Sequence, residues 1–270
     1  MEKPSFENIR LDVENRIATV MVNRPQALNA LNERTLRELQ KAFMYIETCA
    51  PSRGGPETID VVIFTGAGEK SFIAGADIIE MKDKSPAEGE VFARLGQNIT
   101  HQMELLSQPV IAAVNGFALG GGCEFAMACD FILASENALF GQPEVALGIM
   151  PGFGGCVRLP RYVGLARAKE LIFTGRKFKA AEAKAMGLVL EVLPLAELLP
   201  RARAIAAEIQ KVSPLAVARS KKAMDQVLGE ASGEALRAEA QVFGSLFGSH
   251  DQREGMTAFA DKRKAEFRGE

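Results

Sequence analysis

The sequence predicts an α/β protein with a helical C-terminal layer. Three observations support this prediction. Short β-rich segments end at glycine or proline residues, and segments with the apolar spacing of helices lie between them. Strand patterns stop after Val189, and amphipathic helical patterns follow. Because strands that alternate with helices are typical of an α/β core, we expect one such core followed by helices.

The first predicted element is a β-hairpin. Residues Phe6–Val13 alternate apolar and polar side chains, and Arg16–Val22 is rich in β-branched residues. Glu14 and Asn15 between them are suited to a turn. Pro25 then ends the second strand, because proline removes a backbone donor from the ladder.

Helical and strand patterns alternate through the next part of the chain. A helical period begins at Asn32, and Ile59–Phe64 and Val110–Val114 are the apolar runs expected of strands buried on both faces. Four amphipathic helices are predicted in the C-terminal part: Ala202–Gln210, Pro214–Leu228, Glu234–Phe247 and Arg253–Phe267. We therefore divide the chain into a core, residues 1–200, and a C-terminal helical region, residues 201–270.

Composition and charge exclude several classes of protein. Of the 270 residues, 47% are hydrophobic and 24% are charged, which is typical of a globular chain and not of a disordered one. A net charge of -2 gives no general attraction to nucleic acid or anionic membranes, so an anionic ligand needs a local site. No apolar run approaches the roughly 18 residues of a membrane helix. The N-terminus has no leader pattern, so we expect a cytoplasmic protein.

Several common functional motifs are absent. Gly66–Ser71 is similar to a phosphate-binding loop, but Glu69 replaces the glycine before the lysine and would repel a phosphate. Gly120–Phe125 ends in Phe125 where a dinucleotide-binding loop needs glycine or alanine. The cysteines form no CxxC pair and only two histidines occur, which argues against a metal site or a Ser-His-Asp triad. We interpret Cys123 as a small residue in tight packing.

Two segments rich in small residues each follow a predicted strand, and either one alone is explained by close packing of helix and strand. Phe72–Asp77 lies where a strand gives way to a helix, and Asn115–Glu124 places three consecutive glycines at the start of a helix. Glycine lets a ligand approach the main chain, and a helix start offers free N–H groups. Together the two segments could form an oxyanion hole.

Two glutamates accompany these segments. Glu124 lies in the first turn of the glycine-started helix, and Glu144 follows a turn. Either carboxylate alone is explained by capping or surface exposure. As a pair beside backbone donors, they suit the addition or removal of water next to a carbonyl group.

Five ordered blocks extend over nearly the whole chain: Asn23–Leu31, Phe72–Asp77, Ala113–Glu124, Phe140–Gly155 and Glu254–Arg263. Through these blocks the chain resembles the enoyl-CoA hydratase (crotonase) family. The resemblance implies a crotonase, or ClpP-like, spiral of ββα units with a C-terminal helical layer. It also implies that residues 201–270 mediate a homotrimer, which is usually paired into a homohexamer.

The resemblance also implies roles for individual residues. The amides of Ala76 and Gly121 would bind the thioester oxygen, and Glu124 and Glu144 would be the catalytic pair. Other residues would contact the CoA or substrate: Ala27, Leu28, Ala74, Asp77, Ile78, and, on a neighbouring subunit's CoA, Phe259 and Lys262. No metal is implied, and no cofactor beyond the CoA that the substrate carries.

The activity implied is the reversible syn hydration of a trans-2-enoyl-CoA to a 3-hydroxyacyl-CoA in fatty acid or butyrate-type metabolism. The sequence blocks look most like short-chain bacterial enzymes, so we expect a four-carbon substrate. Isomerisation of 3-enoyl-CoA is the leading alternative, and an RNA-binding homologue is a distant one. One departure is Ile79, which stands where many hydratases have a lysine that contacts the CoA phosphates; Lys82 or Lys84 is a candidate substitute.

Overall fold

A computed structural model describes residues 3–82, 84–227, 249–251, 254, 258, 261 and 263–270. The strands of the described residues are β1 (Ile9–Glu14), β2 (Ile17–Val22), β3 (Val61–Gly66), β4 (Ser71–Ile73), β5 (Val110–Val114), β6 (Phe117–Leu119), β7 (Phe131–Ser135), β8 (Leu139–Gly141), β9 (Lys177–Lys179) and β10 (Glu191–Leu193).

The α-helices of the same residues are α1 (Glu33–Thr48), α2 (Ile78–Met81), α3 (Pro86–Leu105), α4 (Gly121–Met127), α5 (Gly155–Val163), α6 (Leu165–Thr174), α7 (Ala180–Ala185), α8 (Leu195–Ile209) and α9 (Pro214–Val227). Two 3₁₀ turns, Pro25–Ala27 and Pro143–Leu147, complete the regular structure.

The strands form two sheets that the chain visits in turn. The larger sheet has the order β1-β2-β3-β5-β7-β10 and the smaller one β4-β6-β8-β9. Each of β3, β5 and β7 is followed by a strand of the smaller sheet and then by helix, which gives three successive ββα units. The predicted α/β spiral is therefore confirmed. Since β4, β6 and β8 are neighbouring parallel strands, their carboxyl ends meet at one edge.

Local sequence signals position the first elements. Asn15 and Arg16 both have positive φ, the conformation that a tight turn with right-handed strand twist requires, so the predicted hairpin forms between β1 and β2. The side chain of Asn32 accepts a hydrogen bond from the backbone N–H of Thr35 at 2.9 Å, and α1 begins at the next residue.

The larger sheet is buried on both faces. Val62, Phe64 and their neighbours on one face join the main core with α1 and α4, whereas Val61, Ile63 and Ile111 on the other face pack against α8. This double burial explains why the central strands are almost continuously apolar. The smaller sheet and α4 lie on the main-core side.

The C-terminal region is joined to the core by buried polar contacts. Lys221 of α9 donates to Asp130 at 2.9 Å and is 7% exposed. Asp251 accepts from Ser213 and from the backbone N–H groups of Arg268 and Gly269. The contacts of Asp251 hold residues 264–270 on a non-helical path. The prediction that a helix extends to Phe267 is therefore wrong.

The other three predictions of C-terminal helices have separate outcomes. The helices predicted at Ala202–Gln210 and Pro214–Leu228 correspond to α8 and α9, and α8 begins earlier, at Leu195. The predicted helix Glu234–Phe247 lies outside the described residues. Within the described part of the chain, no helix has both the length and the apolarity needed to cross a bilayer.

The close packing of α3 gives a stability prediction. A Cβ at Gly96 would lie 2.2 Å from the Phe153 ring, whereas one at Gly89 in the same helix would meet nothing within 4 Å. We expect Gly96→Ala to lower the free energy of unfolding by about 1–3 kcal/mol through overpacking. Gly89→Ala is the matched control and should raise it by about 0.5–1 kcal/mol. Urea titration of both variants checks this; equal effects would contradict the packing described.

Candidate active site

The start of α4 depends on Gly120. This residue has φ 50° and ψ -124°, a backbone conformation available essentially to glycine alone. Its N–H donates to the carbonyl of Gly141 at 2.9 Å, which fixes the exit of β6 against β8. The helix that follows is too short to act as a dipole by itself, but its first residue, Gly121, presents a backbone N–H with no acceptor among the described residues.

A second free amide lies at the exit of β4. Leu31 forms a parallel bridge with Ala76: its N–H donates to the carbonyl of Gly75, and its carbonyl accepts from the N–H of Asp77, both at 2.9 Å. In a parallel bridge of this kind, the N–H of Ala76 points away from Leu31. No group in the described part of the chain accepts from it. The amides of Ala76 and Gly121 thus both lack an acceptor among the described residues.

The two amide segments lie close to each other. A Cβ at Gly75 would lie 3.5 Å from the carbonyl oxygen of Leu119, and one at Gly121 would lie 3.6 Å from the Leu31 side chain. The segments that carry the Ala76 and Gly121 amides thus pack side by side. An oxyanion hole needs two such donors close to each other.

Glu124 is almost completely buried, with 1% of its surface exposed. Its Oε1 accepts backbone N–H groups from Phe153 at 2.8 Å and from Gly155 at 2.6 Å. Both donors come from the loop before α5 and the first residue of that helix. Glu124 is thereby held through one oxygen, which leaves Oε2 as the atom available for proton exchange.

Glu144 lies on the 3₁₀ turn after β8 and is 8% exposed. Its Oε1 occupies the space of a side chain at Gly120, since a Cβ there would lie 2.8 Å away. When the side-chain amide of Gln142 is oriented to satisfy its neighbours, its nitrogen donates to both carboxylate oxygens, at 3.0 and 3.1 Å. Gln142 also lies beside Gly155, whose amide binds Glu124, so the two carboxyl groups converge on the same small region.

Burial controls the ionisation of both carboxyl groups. It raises the pKa of Glu124 to about 7, against the opposing effects of the Gly155 and Phe153 amides and of the Arg158 charge. It also raises the pKa of Glu144 to about 7, and the nearby negative charge of Glu124 adds to this increase. Two interacting carboxyl groups of this kind share protons near neutral pH, and the titration belongs to the pair.

The residues predicted along the CoA fall on two adjoining segments. Ala74 donates its N–H to the carbonyl of Leu28 at 3.1 Å, which places these two side by side. Leu28 and Ile78 are exposed, at 38% and 53%. The remaining two of this set, Ala27 and Asp77, are half-buried. Phe259 and Lys262 lie outside the described residues.

Asp77 has a partner that the sequence did not indicate. The guanidinium of Arg24 donates to Asp77 at 3.2 and 3.3 Å and also to the carbonyl of Ala30. This ion pair holds the segment that follows β2 against the one that carries the Ala76 amide. The structure therefore gives Asp77 a contact within the protein.

Position 79 carries isoleucine in place of the lysine found in many hydratases, so no residue is assigned to the contact with the CoA phosphates. The side chain of Ile79 is 76% exposed. Of the two candidate substitutes, Lys84 places its ammonium 5.4 Å from the centre of the Phe92 ring, in a cation–π contact. Lys82 is exposed.

Sequence reasoning missed three functional contacts: the Phe153 and Gly155 amides on Glu124, and the Gln142 amide on Glu144. The glycine pair Gly154-Gly155 is a signal of close backbone approach, and a Cβ at Gly155 would lie 3.0 Å from Glu124 Oε1. Nothing in the sequence pattern distinguishes Gln142 from an ordinary polar turn residue.

Comparison with known proteins agrees with this geometry. The model of the enoyl-CoA hydratase/isomerase family matches residues 12–270. The short-chain-enoyl-CoA hydratase of Clostridium acetobutylicum is 50% identical over 261 residues, which are 97% of each chain. The crotonyl-CoA hydratase of Syntrophomonas wolfei is 48% identical over 263 residues, 97% of this chain and 98% of that one.

A solved structure shows the same fold. The crystal structure of an enoyl-CoA hydratase from Bacillus anthracis superposes with a TM-score of 0.91 at 39% identity, and the match covers 98% of this chain and all of that one. The fold defines a protein of the crotonase class. The chain belongs to the enoyl-CoA hydratase/isomerase family.

The raised pKa values give a prediction about stability. The native Glu144 has a pKa of about 7, above its ordinary value of 4.5, so between these pH values the native state binds more protons than the unfolded state. Its contribution to stability is therefore complete below pH 4.5 and is lost as the pH rises through 7. We expect Glu144→Gln to have a higher Tm than the wild type at pH 8 and a similar Tm at pH 4.5. Glu136→Gln, at an exposed carboxylate, is the control; a Tm difference that did not grow with pH would contradict the burial argument.

Proposed function

We propose that this protein catalyses the reversible syn hydration of short-chain trans-2-enoyl-CoA thioesters to 3-hydroxyacyl-CoA. The observation that carries the proposal is the convergence of two buried carboxyl groups, both with a pKa of about 7, beside two free backbone amides. The names of the Clostridium and Syntrophomonas relatives support the substrate class. Beyond the CoA of the substrate, no cofactor enters the proposal.

In the proposed mechanism, the amides of Ala76 and Gly121 donate to the thioester oxygen of the substrate. Negative charge collects on this oxygen when a nucleophile adds to the β-carbon, because the addition gives an enolate. Two N–H groups fixed by the main chain need no reorganisation as the charge develops. Neither donor has a competing acceptor among the described residues.

The water molecule is proposed to lie between Glu124 and Glu144. The ionised carboxylate removes a proton from the water molecule while the water oxygen bonds to the β-carbon. The protonated carboxyl group gives its proton to the α-carbon. The two carboxyl groups end with their protonation states exchanged, and proton transfer between them restores the start. Since both carboxyl groups act from one side of the substrate, the hydroxyl group and the hydrogen add to the same face of the double bond.

The residues proposed to contact the CoA and the proposed oligomeric state are both taken from the family resemblance. Ala27, Leu28, Ala74, Asp77 and Ile78 are proposed to line the CoA, and the adjacency of their segments supports this. A homotrimer or homohexamer of a cytoplasmic enzyme is the proposed state. RNA binding is the distant alternative, and its candidate surface is helix α1. Arg34 and Arg37 of this helix pair with Glu7 and Glu33, which supports the enzyme over this alternative.

The carboxyl pair gives the first test. We expect Glu124→Gln and Glu144→Gln each to lower kcat for crotonyl-CoA hydration by about 10²–10⁴-fold, because each removes one general acid or base. Loss of the conjugated absorbance of crotonyl-CoA measures the rate. Glu136→Gln should retain wild-type activity. A Glu144→Gln enzyme with near wild-type turnover would contradict the proposed roles.

The substrate class gives the second test. Phe153 lies against Gly121, and Phe92 and Phe125 back its ring, so a bulky wall closes one side of the site. We expect kcat/KM to be highest for the four-carbon enoyl-CoA in a series of increasing chain length. Product analysis with 3-enoyl-CoA runs alongside. Double-bond migration without hydration of any 2-enoyl-CoA would establish the isomerase alternative instead.

A further inference from the structure

An ion pair lies next to the loop that binds Glu124. The guanidinium of Arg158, on α5, donates through Nε and Nη2 to the two carboxylate oxygens of Glu104, on α3, at 2.6 and 2.9 Å. Its third nitrogen, Nη1, donates to the carbonyl of Phe153 at 2.9 Å. Arg158 is only 9% exposed. Because the N–H of Phe153 binds the Glu124 carboxyl group, a single residue joins the ion pair to the site.

One face of α3 holds the same loop. Gln97 donates to the carbonyl of Gly152 at 2.9 Å, and Thr100 donates to the carbonyl of Phe153 at 3.2 Å. Together with Glu104, these side chains have the spacing of residues on one face of a helix. Helix α3 therefore fixes the carbonyl groups of the loop, while amides of the same loop bind the active-site carboxyl group.

The guanidinium occupies an unusual position for a cation. A Cβ at Gly154 would lie 2.1 Å from Arg158 Nη1, so the guanidinium fills the space beside the N-terminal end of its own helix, α5. The macrodipole of a helix opposes a cation at this end. A buried ion pair also adds little net stability, because both charges lose their hydration. Packing alone therefore does not explain an arginine at position 158.

The charge of Arg158 acts on Glu124. Burial raises the pKa of Glu124 to about 7, and two backbone amides and the Arg158 charge limit that rise. Burial also acts to raise the pKa of Glu104, but its hydrogen bond with Arg158 holds this pKa below the ordinary value. Glu104 is therefore ionised near neutral pH, and its negative charge partly cancels the field of Arg158 at Glu124.

Other titratable groups face Glu124 from three elements. Glu144 lies on the turn after β8, Cys123 on α4 and Cys156 on α5. Burial and the nearby carboxylates raise the pKa of both thiols, so both stay neutral. Within this set and the ion pair, the guanidinium is the permanent cation.

A second set of groups surrounds the ion pair itself. Its members come from α3, from the turn after α4, from α5 and from α9: His101, Cys129, Asp130, Tyr162, Lys221 and Asp225. Burial raises the pKa of the thiol and of the phenol in this set, so both stay neutral. Asp130 and Lys221 pair with each other at 2.9 Å, and the exposed His101 contacts Glu104 at 3.4 Å.

We propose that Arg158 is a positioning residue for the carboxyl pair, and that Glu104 sets the strength of its effect. Arg158 holds the loop whose amides bind Glu124, and its charge favours the ionised form of that carboxyl group. The ion pair thereby helps the two active-site carboxyl groups to hold one proton between them instead of two. This inference rests on the proposed function, because it concerns how the pair shares a proton during hydration.

The two partners of the ion pair are tested by variants with opposite expected effects. Arg158→Met removes the cation and keeps an unbranched side chain. We expect it to lower kcat/KM for crotonyl-CoA near neutral pH by about 10–100-fold and to move the pH profile of kcat/KM up by about one pH unit. Glu104→Gln removes the opposing anion, so its profile should move to lower pH, by about half a unit.

Arg158→Lys separates charge from position. Lysine keeps the cation but lacks the planar fork that binds Glu104 and the Phe153 carbonyl together. We expect a lower rate with a pH profile close to that of the wild type, and a shift as large as that of Arg158→Met would overturn the role of the charge. Arg94→Met is the matched control and should change neither, because Arg94 pairs with Glu90 on the exposed surface of α3.

An unmoved profile in Arg158→Met, or shifts of Arg158→Met and Glu104→Gln in the same direction, would overturn the inference. If Arg158→Met does not fold, the near-isosteric Glu104→Gln decides alone, and an unmoved profile there has the same meaning. The infrared band of the protonated carboxyl groups, assigned with Glu124→Gln, titrates the pair without substrate. Failure of the wild type to hydrate crotonyl-CoA would refute the proposed function, while this titration still tests the ion pair, so the two failures are distinguishable.

Discussion

The absence of a side chain at position 120 is the constraint on which the site depends. Gly120 adopts φ 50° and ψ -124° and directly precedes α4, and the Glu144 carboxylate fills the space where a Cβ would stand. The same residue therefore positions the Gly121 amide, sets the direction of the helix that carries Glu124, and admits Glu144 beside them. Any other residue here would strain the backbone and displace the carboxylate.

The repeated ββα unit explains how distant parts of the chain reach this point. The neighbouring parallel strands β4, β6 and β8 end at one edge of the smaller sheet. Their exits supply in turn the Ala76 amide, the Gly121 amide, and the pair Gln142 and Glu144. Burial at this edge makes ionisation of the two carboxyl groups costly, so the protein loses stability as the pH rises through neutrality. The same burial keeps a proton on the pair near neutral pH, which is an example of stability given up at a functional site.

Local signals made much of the fold predictable. β5 has the predicted bounds, Val110–Val114, because the apolar run that forms the strand ends at Pro109 on one side and at Asn115 on the other. Helix α1 begins directly after its predicted cap, Asn32. The proposed roles of Glu124 and Glu144 rest on the family resemblance, since each glutamate alone is uninformative. Contacts such as Phe153 on Glu124 join residues 29 positions apart and have no local signature. Asp251 likewise holds residues 264–270 through contacts with Arg268 and Gly269 that have no local signature, so the sequence did not predict their path.

The most direct measurement is a crystal structure with butyryl-CoA bound, since this saturated thioester carries the same carbonyl group but cannot be hydrated. We expect the thioester oxygen to lie about 2.7–3.1 Å from both the Ala76 and Gly121 nitrogens. We also expect Glu124 and Glu144 to face the acyl α- and β-carbons from one side. A thioester oxygen bound elsewhere, or carboxyl groups on opposite faces of the acyl chain, would contradict the proposed mechanism.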